Sequence, residues 1–422
     1  MRRPRVVVTG VGAVSPLGSN VSLFWEGLLR GHSGVRRITS FDPSGFPCQI
    51  AGEIPDFKPE DYLSNKEIRR TPRSGQIALA AAKQAVLDAG LPDKMPDPER
   101  SAVVFGIGIG GLDVVEDGIH VFRSKGLERV NPFSIPTGIP NYPAFVLAHH
   151  FQCLGPCTTL ATACASSTQA IGEAAELIRR GAAEVVITGG TDSLIRDFPI
   201  AGFLSMRILP LNYNDQPERA SRPFDALREG FVFSEGSGVL VLERLEHAEQ
   251  RQARIYAELI GHASSSDGYH MAAPDPNAGG PIRAMRWALQ DAELSPIEVE
   301  YINAHGTSTP INDLIETRAI KKVFGEYAYK IPVSSTKSMI GHSMGGSGAL
   351  EAITCLLSIS NGYIHPTINY ENPDSECDLD YVPNYARKKD IKVALSNSFG
   401  LGGQNACLLF KKFSWDGDIK SE

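Results

Sequence analysis

A cysteine and two histidines stand where strand-like runs of this sequence give way to turns. Cys164 lies in LATACASSTQA, between an apolar run and a helix of small residues. His305 follows VEYINA and begins the turn HGTSTP, and His342 lies between KIPVSS and a glycine-rich helix start. Open α/β sheets bind ligands at the carboxyl ends of their strands. The combination favours a functional site in which Cys164 is the candidate nucleophile.

The position of Cys164 predicts a reactive thiol, because amide dipoles at a helix N-terminus favour the nucleophilic thiolate. The structural alternative is a small buried cysteine, with His305 and His342 as turn residues and Lys337 as a surface amine. The glycine strings GIGIGG, GLGG and GHSMGGSG match neither a P-loop nor a complete dinucleotide fingerprint. They therefore argue against nucleotide binding.

Composition limits the class of protein. The chain has 422 residues, with 41 basic and 48 acidic side chains and a net charge of −7. A nucleic-acid partner needs a basic surface, so it is not expected. The seven cysteines are an odd number without paired two-residue spacing, which argues against structural zinc or a disulfide framework. No apolar run approaches the roughly 18 residues of a membrane span, so we expect a soluble, cytoplasmic protein.

The chain alternates short Val/Ile/Ala-rich runs with helical patterns, which is typical of parallel strands joined by helical crossovers. Helices are predicted at 76–89, 164–180 and 345–360, and a long loop at about 205–233. EVVITGG followed by GVLVLERL resembles KVALSN followed by NACLLFKKF, a weak internal duplication. The strand-like runs lie at 5–12, 101–111, 184–190, 238–245, 255–265, 299–306, 330–335, 391–403 and 405–413.

Four motifs together resemble the elongating 3-oxoacyl-[acyl-carrier-protein] synthases and the related polyketide ketosynthases: ATACASS, NAHGTSTPIND, SSTKSMIGHSMGGSGALE and NSFGLGG. The likeness runs along essentially the whole chain. It implies an α/β thiolase fold, in which two similar mixed-sheet α/β halves pack as a five-layered α-β-α-β-α core. We expect an N-terminal half at 1–250 with the nucleophile and a C-terminal half at 251–422 with both histidines.

The resemblance implies a Cys-His-His triad of Cys164, His305 and His342. The thiol would take an acyl group from a carrier protein, and malonyl-carrier would lose carbon dioxide and extend that group by two carbons. The resemblance also assigns an oxyanion hole to the backbone N–H groups of Cys164 and Phe399, with Phe399 as the gating aromatic. Lys337 would be a supporting cation oriented through Glu351.

The family pattern extends to substrate contacts. Thr307 and Thr309 resemble the hydroxyls that bind the pantetheine arm, and Ile109 and Phe203 resemble residues that line the acyl pocket. Two positions depart from the pattern: Ala272 replaces a threonine, and Leu401 replaces a second aromatic in the gating loop. These departures bear on acyl selectivity. No resident cofactor or metal is implied, since phosphopantetheine arrives on the carrier.

The implied partner is an acidic acyl carrier protein, which suits a local basic surface despite the net charge. Candidate docking residues are Lys66, Arg69, Arg70, Arg129 and Arg207, and Arg73 adds to the stretch KEIRRTPR. A solvated basic helix face is the alternative. The family implies a homodimer, and a heterodimer with a second ketosynthase-like subunit stays open. So does a polyketide or specialised-lipid pathway, whereas a non-catalytic chain-length subunit is disfavoured because Cys164 is present.

Overall fold

The computed structural model describes residues 3–414, in which ten strands form one mixed sheet and two short strand pairs lie apart from it. The sheet strands are β1 (Val6–Val14), β4 (Ser101–Ile107), β5 (Cys157–Leu160), β6 (Val185–Asp192), β7 (Gly236–Arg244), β8 (Ala257–Ser266), β9 (Tyr301–Asn303), β10 (Val333–Ser334), β13 (Val393–Gly400) and β14 (Gln404–Lys411). The two short pairs are β2 (Arg36–Arg37) with β3 (Ile50–Ala51) and β11 (Tyr363–Ile364) with β12 (Arg387–Lys388).

The helices alternate with these strands along the chain. They are α1 (Val21–Arg30), α2 (Asn65–Ile68), α3 (Arg73–Asp88), α4 (Leu112–Lys125), α5 (Ser134–Gly138), α6 (Tyr142–Phe151), α7 (Ser166–Arg179), α8 (Asp197–Ser205), α9 (Leu245–Gln250), α10 (Gly279–Asp291), α11 (Pro310–Phe324), α12 (Lys337–Ile340) and α13 (Ser347–Asn361). The three predicted helices correspond to α3, α7 and α13, each with ends shifted by up to three residues. Between α8 and β7 the chain has no α-helix or sheet strand, as predicted for the loop.

The sheet consists of two halves with the same strand order. The first half runs β5-β4-β6-β7-β1 and the second runs β10-β9-β13-β14-β8. In each half the first three strands of this order are parallel, and the last two join by antiparallel pairing. The halves meet where β1 pairs with β8 over only two residue pairs. The predicted parallel sheet is therefore mixed, and the weak sequence duplication corresponds to repeated topology.

Strand side chains alternate between two faces and so define the layers. On β6, Val186 packs into the same apolar cluster as α7 and α13, whereas Val185 and Ile187 pack under α3 and α6. On β13, Ala394 faces α7 and α13, and Leu395 faces α10 and α11. The helices α7 and α13 contact strands of both halves and each other. The expected five-layered arrangement is thus confirmed, with these two helices as the central layer.

The central helices approach closely because small residues line their contact. A Cβ atom added to Gly348 would lie 1.9 Å from the Thr168 hydroxyl oxygen. That hydroxyl is hydrogen-bonded to Ser398 Oγ at 2.6 Å, which ties the central layer to β13. The close contact brings the N-terminal ends of both helices to the same region of the molecule. Among residues 3–414, no helix has the length and hydrophobicity needed to cross a membrane.

Candidate active site

The structure brings Cys164, His305 and His342 together in one buried group. The cysteine sulfur and one imidazole nitrogen of each histidine all lie within 4.8 Å of one another. The two imidazole rings are 5.5 Å apart between centroids and nearly perpendicular, with an angle of 83°. All three side chains line a single cavity of about 430 Å³. The expected association of these residues is therefore present in the folded chain.

The candidate nucleophile, Cys164, lies on a tight turn between β5 and α7. Ala163 has a φ of 50°, a left-handed conformation that is unfavourable for an L-residue with a side chain. Ala163 begins a single 3₁₀ turn that ends at Ala165, so Cys164 precedes the first residue of α7. The hydroxyl of Ser166 fixes this turn, because it accepts a hydrogen bond from the Thr162 N–H at 2.9 Å and contacts the Ala163 carbonyl at 2.6 Å.

Burial dominates the electrostatics of the Cys164 thiol. Only 5% of the residue is exposed, and desolvation raises its pKa to about 11. Backbone N–H groups and the Lys337 ammonium favour the thiolate, whereas the Asp192 carboxylate opposes it. The backbone amides thus favour the thiolate, as expected, but the cost of burying a charge exceeds their effect and leaves the pKa of the thiol raised. The resting group is a neutral thiol.

Lys337 orients His305. Its Nζ donates to the His305 carbonyl at 2.8 Å, to His305 Nδ1 at 3.2 Å, and to the carboxylate of Glu351. These three acceptors use all three protons of an ammonium group, so Nδ1 accepts and His305 carries its own proton on Nε2. Burial, followed by the nearby ammonium, holds the pKa of His305 well below its usual range. The predicted Lys337–Glu351 pair is present, and burial raises the pKa of the Glu351 carboxyl to about 7.

His342 presents a nitrogen without a partner. Its Nδ1 lies 2.9 Å from the Ser347 hydroxyl, whereas Nε2 is buried and has no hydrogen-bond partner within residues 3–414. Burial, with a contribution from Lys337, lowers the pKa of His342 well below its usual range. The ring also packs edge-on against Phe231. The unpartnered Nε2 leaves this neutral imidazole free to accept a proton, and one of its ring nitrogens lies within 4.8 Å of the Cys164 sulfur.

Two backbone amides lie close to the sulfur. The N–H groups of Leu401 and of Cys164 itself favour the Cys164 thiolate. Phe399 lies within β13, opposite Asn405, with its ring against His305 at a centroid distance of 5.8 Å. The Leu401 N–H is therefore a candidate oxyanion donor beside that of Cys164, and the role expected of the Phe399 N–H stays a prediction.

The cavity wall contains most of the expected pantetheine contacts. Thr307 and Thr309 line it, and their hydroxyl oxygens are 2.9 Å apart. Both departures from the family pattern, Ala272 and Leu401, also lie on this wall. Arg207 lies on the wall as well, and its side chain has no ion-pair partner among the described residues. It therefore presents a positive charge at the cavity.

Ile109 and Phe203 occupy a different position from the threonines. They do not line the 430 Å³ cavity but pack against the buried apolar cluster that contains Cys164 and Met344. The Phe203 ring contacts those of Phe231 and Phe233, with centroid distances of 5.4 and 5.3 Å. This apolar region adjoins the thiol, and its role as an acyl pocket stays a prediction.

The candidate docking residues are all exposed. Lys66 lies in α2, Arg69 caps its C-terminal end, and Arg129 ends a 3₁₀ turn after α4. Arg70 stacks over the Phe133 ring at 5.7 Å. Arg73, by contrast, forms a two-pronged ion pair with the buried Glu235 through bonds of 2.7 Å, so it is part of the structure beneath this surface.

Two buried carboxylates near the triad are absent from the sequence prediction. Glu316 on α11 accepts the N–H groups of His305 and Gly306, each at 2.8 Å, and so fixes the turn that carries the histidine. Asp192, at the end of β6, accepts four backbone N–H groups from two turns. The signal for Asp192 is its position at a strand end, whereas Glu316 lies within an ordinary helical pattern.

Comparison with known proteins agrees with this geometry. Residues 3–248 match the beta-ketoacyl synthase N-terminal domain model, and residues 256–371 match the C-terminal domain model. The chain is 48% identical to 3-oxoacyl-[acyl-carrier-protein] synthase 2 of Synechocystis sp., over 98% of this chain and 99% of that protein. It is 47% identical to the Coxiella burnetii protein of the same name, with the same two coverages.

Solved structures give the same result. The ishigamide ketosynthase/chain length factor superposes with a TM-score of 0.91 and 36% identity, over 98% of this chain and 100% of that one. A type II polyketide ketosynthase solved in complex with its acyl-carrier protein gives 0.90 and 34%, with the same coverages. With both domain models matched in sequence and the thiol and imidazoles assembled at the junction of the two halves, this chain belongs to the beta-ketoacyl synthase family.

Proposed function

We propose that this chain is an elongating 3-oxoacyl-[acyl-carrier-protein] synthase in which Cys164 carries the growing acyl group. The observation that carries the proposal is the convergence of one thiol, two imidazoles and two backbone N–H donors at the end of one cavity. Such a set can form a thioester, hold an oxyanion and donate hydrogen bonds to an enolate. The curated relatives at 46–48% identity carry the name of this activity.

Acylation begins from the neutral thiol. As sulfur attacks the carbonyl of the acyl-carrier thioester, the Cys164 proton moves to Nε2 of His342, which has no competing partner. The tetrahedral oxyanion is held by the N–H groups of Cys164 and Leu401. Collapse breaks the carrier C–S bond, and the departing carrier thiolate takes the proton from His342. The products are acyl-Cys164 and a free carrier thiol.

Decarboxylation uses the two histidines as hydrogen-bond donors. His305 has its proton on Nε2, and this N–H would donate to the thioester oxygen of malonyl-carrier. His342 can also donate from Nε2, because the Ser347 hydroxyl next to Nδ1 can serve as either donor or acceptor. Breaking the carboxylate C–C bond releases carbon dioxide and leaves an enolate whose charge develops on that oxygen.

Condensation completes the cycle. The enolate carbon attacks the acyl thioester on Cys164, and the N–H groups of Cys164 and Leu401 again hold the oxyanion. Collapse breaks the C–S bond to the enzyme and releases the Cys164 thiolate, which carries the charge that the malonyl carboxylate brought in and takes up one proton from solvent. The 3-oxoacyl chain, longer by two carbons, remains on the carrier. Apart from that proton, every step uses groups of the chain and its two thioester substrates.

The proposed partner is an acyl carrier protein that docks near the basic side chains Lys66, Arg69, Arg70, Arg129 and Arg207. Replacing Lys66 and Arg69 with Glu should raise the KM for carrier-bound substrates more than for small thioesters, and an equal effect would contradict the docking assignment.

We further propose a homodimer, with a ketosynthase-like heterodimer as the alternative. Support comes from the segment 112–151, where large apolar side chains are exposed: Ile119, Phe122, Leu127, Phe133, Ile135, Ile139 and Phe145.

The direct test uses purified protein, a panel of acyl-carriers and malonyl-carrier. Intact-mass spectrometry should detect one acyl group on Cys164, and carbon dioxide release should accompany chain extension. Cys164→Gln should abolish condensation, and His305→Ala should lose decarboxylation. Cys157→Ser is the matched control, because Cys157 is a free and exposed thiol outside the cavity. Absence of both the adduct and carbon dioxide with every donor would refute the function.

A further inference from the structure

Asp192 occupies an unusual position for a carboxylate. It is the last residue of β6, only 1% exposed, and its two oxygens accept four backbone N–H groups. Oδ2 accepts from Gly108 at 2.8 Å and Gly345 at 2.7 Å, whereas Oδ1 accepts from Ile109 at 3.1 Å and Gly110 at 3.2 Å. No lysine or arginine side chain among residues 3–414 forms an ion pair with Asp192. The buried charge is thus stabilised by backbone alone.

The four amides belong to two turns with different roles. Gly108, Ile109 and Gly110 follow β4 and carry the side chain expected at the acyl pocket. Gly345 belongs to the 3₁₀ turn that follows His342 and leads into α13. Asp192 is therefore the shared acceptor for a turn on the acyl side and a turn on the histidine side of the site.

Backbone contacts show that the two turns touch around this carboxylate. A Cβ atom added to Gly345 would lie 2.2 Å from the Gly108 nitrogen and 2.8 Å from Asp192 Oδ2. One added to Gly108 would lie 2.6 Å from the same oxygen and 3.3 Å from the carbonyl oxygen of Ala163, the residue before the nucleophile. The strained Met344, with a φ of 46°, lies between His342 and this contact.

We propose that Asp192 is a positioning residue, which fastens the acyl-side turn to the histidine-side turn and so couples the acyl pocket to the placement of His342. An acyl chain that displaces Ile109 would act through the carboxylate on Gly345, and through it on the turn that follows His342. Loss of the carboxylate would release both turns together. The inference rests on the condensing activity proposed above.

The first test compares Asp192→Asn with the wild type and with Glu243→Gln. The side chain of Glu243 is also a fully buried carboxylate, but it lies on β7 at the opposite end of the β6–β7 pair and binds Arg251, His247 and Thr9. Seven residues of strand separate the two sites, about 23 Å. The control therefore reports the general cost of neutralising a buried carboxylate in the same sheet.

For Asp192→Asn we expect kcat to fall at least tenfold, the KM for malonyl-carrier to stay within threefold, and the ratio of Cys164 acylation rates for hexadecanoyl and butanoyl donors to change at least threefold. Glu243→Gln should keep kcat and this ratio within threefold of the wild type, whatever its Tm. An unchanged ratio in Asp192→Asn, or an equal change in the control, would overturn the proposal. The wild type is measured alongside. A wild type without condensing activity would contradict the proposed function, whereas an active wild type with an unchanged ratio in Asp192→Asn would contradict only the positioning role of Asp192.

A second measurement needs no variant. Hydrogen exchange of the wild type, with and without a hexadecanoyl group on Cys164, should show protection changing together in peptides covering 106–112 and 343–347. A change confined to one peptide, or no change in either, would contradict the coupling even if Asp192→Asn failed to fold.

Discussion

The reactivity of Cys164 should rise steeply with pH, because burial keeps the thiol protonated. Its pKa is raised from 9.0 to about 11, so at pH 7.5 the thiolate is about 100-fold rarer than for an unperturbed cysteine. The assay is alkylation by iodoacetamide, a small neutral probe, followed by intact mass in the Cys157→Ser background. Between pH 7 and pH 10 the rate should increase about tenfold per pH unit without a plateau.

A plateau below pH 9 would refute the neutral resting thiol. His342→Ala separates the two ways of activating the nucleophile. If His342 acts as the general base, its loss should slow enzymatic acylation about 10² to 10⁴-fold, while the pH slope of alkylation persists. If acylation and alkylation both stay unchanged in this variant, the proton does not pass through His342.

Three further outcomes are expected. Lys337→Met removes the donor that holds His305 Nδ1 as an acceptor, so carbon dioxide release from malonyl-carrier should fall at least tenfold, and a change within threefold would contradict that role. Gly348→Ala places a Cβ atom 1.9 Å from a neighbouring oxygen and should lower the free energy of unfolding by about 2 kcal/mol or more. Gly202→Ala in α8 is the control, because nothing lies within 4 Å of its added Cβ atom, and it should change the free energy of unfolding by less than about 1 kcal/mol. Calorimetry that finds equal changes for the two variants would refute the packing argument. Burial raises the pKa of Asp192 to about 6 and of Glu316 to about 7, above the values of the unfolded chain. The stability that these two carboxyl groups contribute is therefore complete below about pH 4 and is lost as the pH rises through 6 to 7. Between pH 4 and 7 the Tm of Asp192→Asn should vary less than that of the wild type, and parallel curves of Tm against pH would exclude the effect.

The parts of the site that depend on residue type and local pattern are predictable from the sequence. Cys164, His305 and His342 stand in motifs next to strand ends, and their meeting follows from the edge at which parallel strands finish. The pairing of Lys337 with Glu351 follows from the family resemblance. The long helices are predictable because small and apolar residues recur at helical spacing over three or more turns.

The other parts depend on contacts that no local pattern records. The Cys164 thiol is neutral because the folded chain excludes water from it, and burial of a residue is a tertiary property. The donor at Leu401 is a backbone N–H, which every residue except proline possesses, so the sequence does not distinguish it from Phe399. Asp192 has a signal in its position at a strand end, but its role is concealed for the same reason, because its partners are all amides from turns distant in sequence.

The two halves also repeat the turn that leads into each central helix. A 3₁₀ turn at Ala163–Ala165 comes directly before α7, and one at Met344–Gly346 comes directly before α13. The first residue of each turn has a positive φ, 50° in the first half and 46° in the second. Cys164 therefore corresponds to Gly345, and His342 lies three residues ahead of that position. The thiol thus comes from within one copy of the repeated turn and the imidazole from the segment before the other copy, so the two groups occupy different places in the repeat.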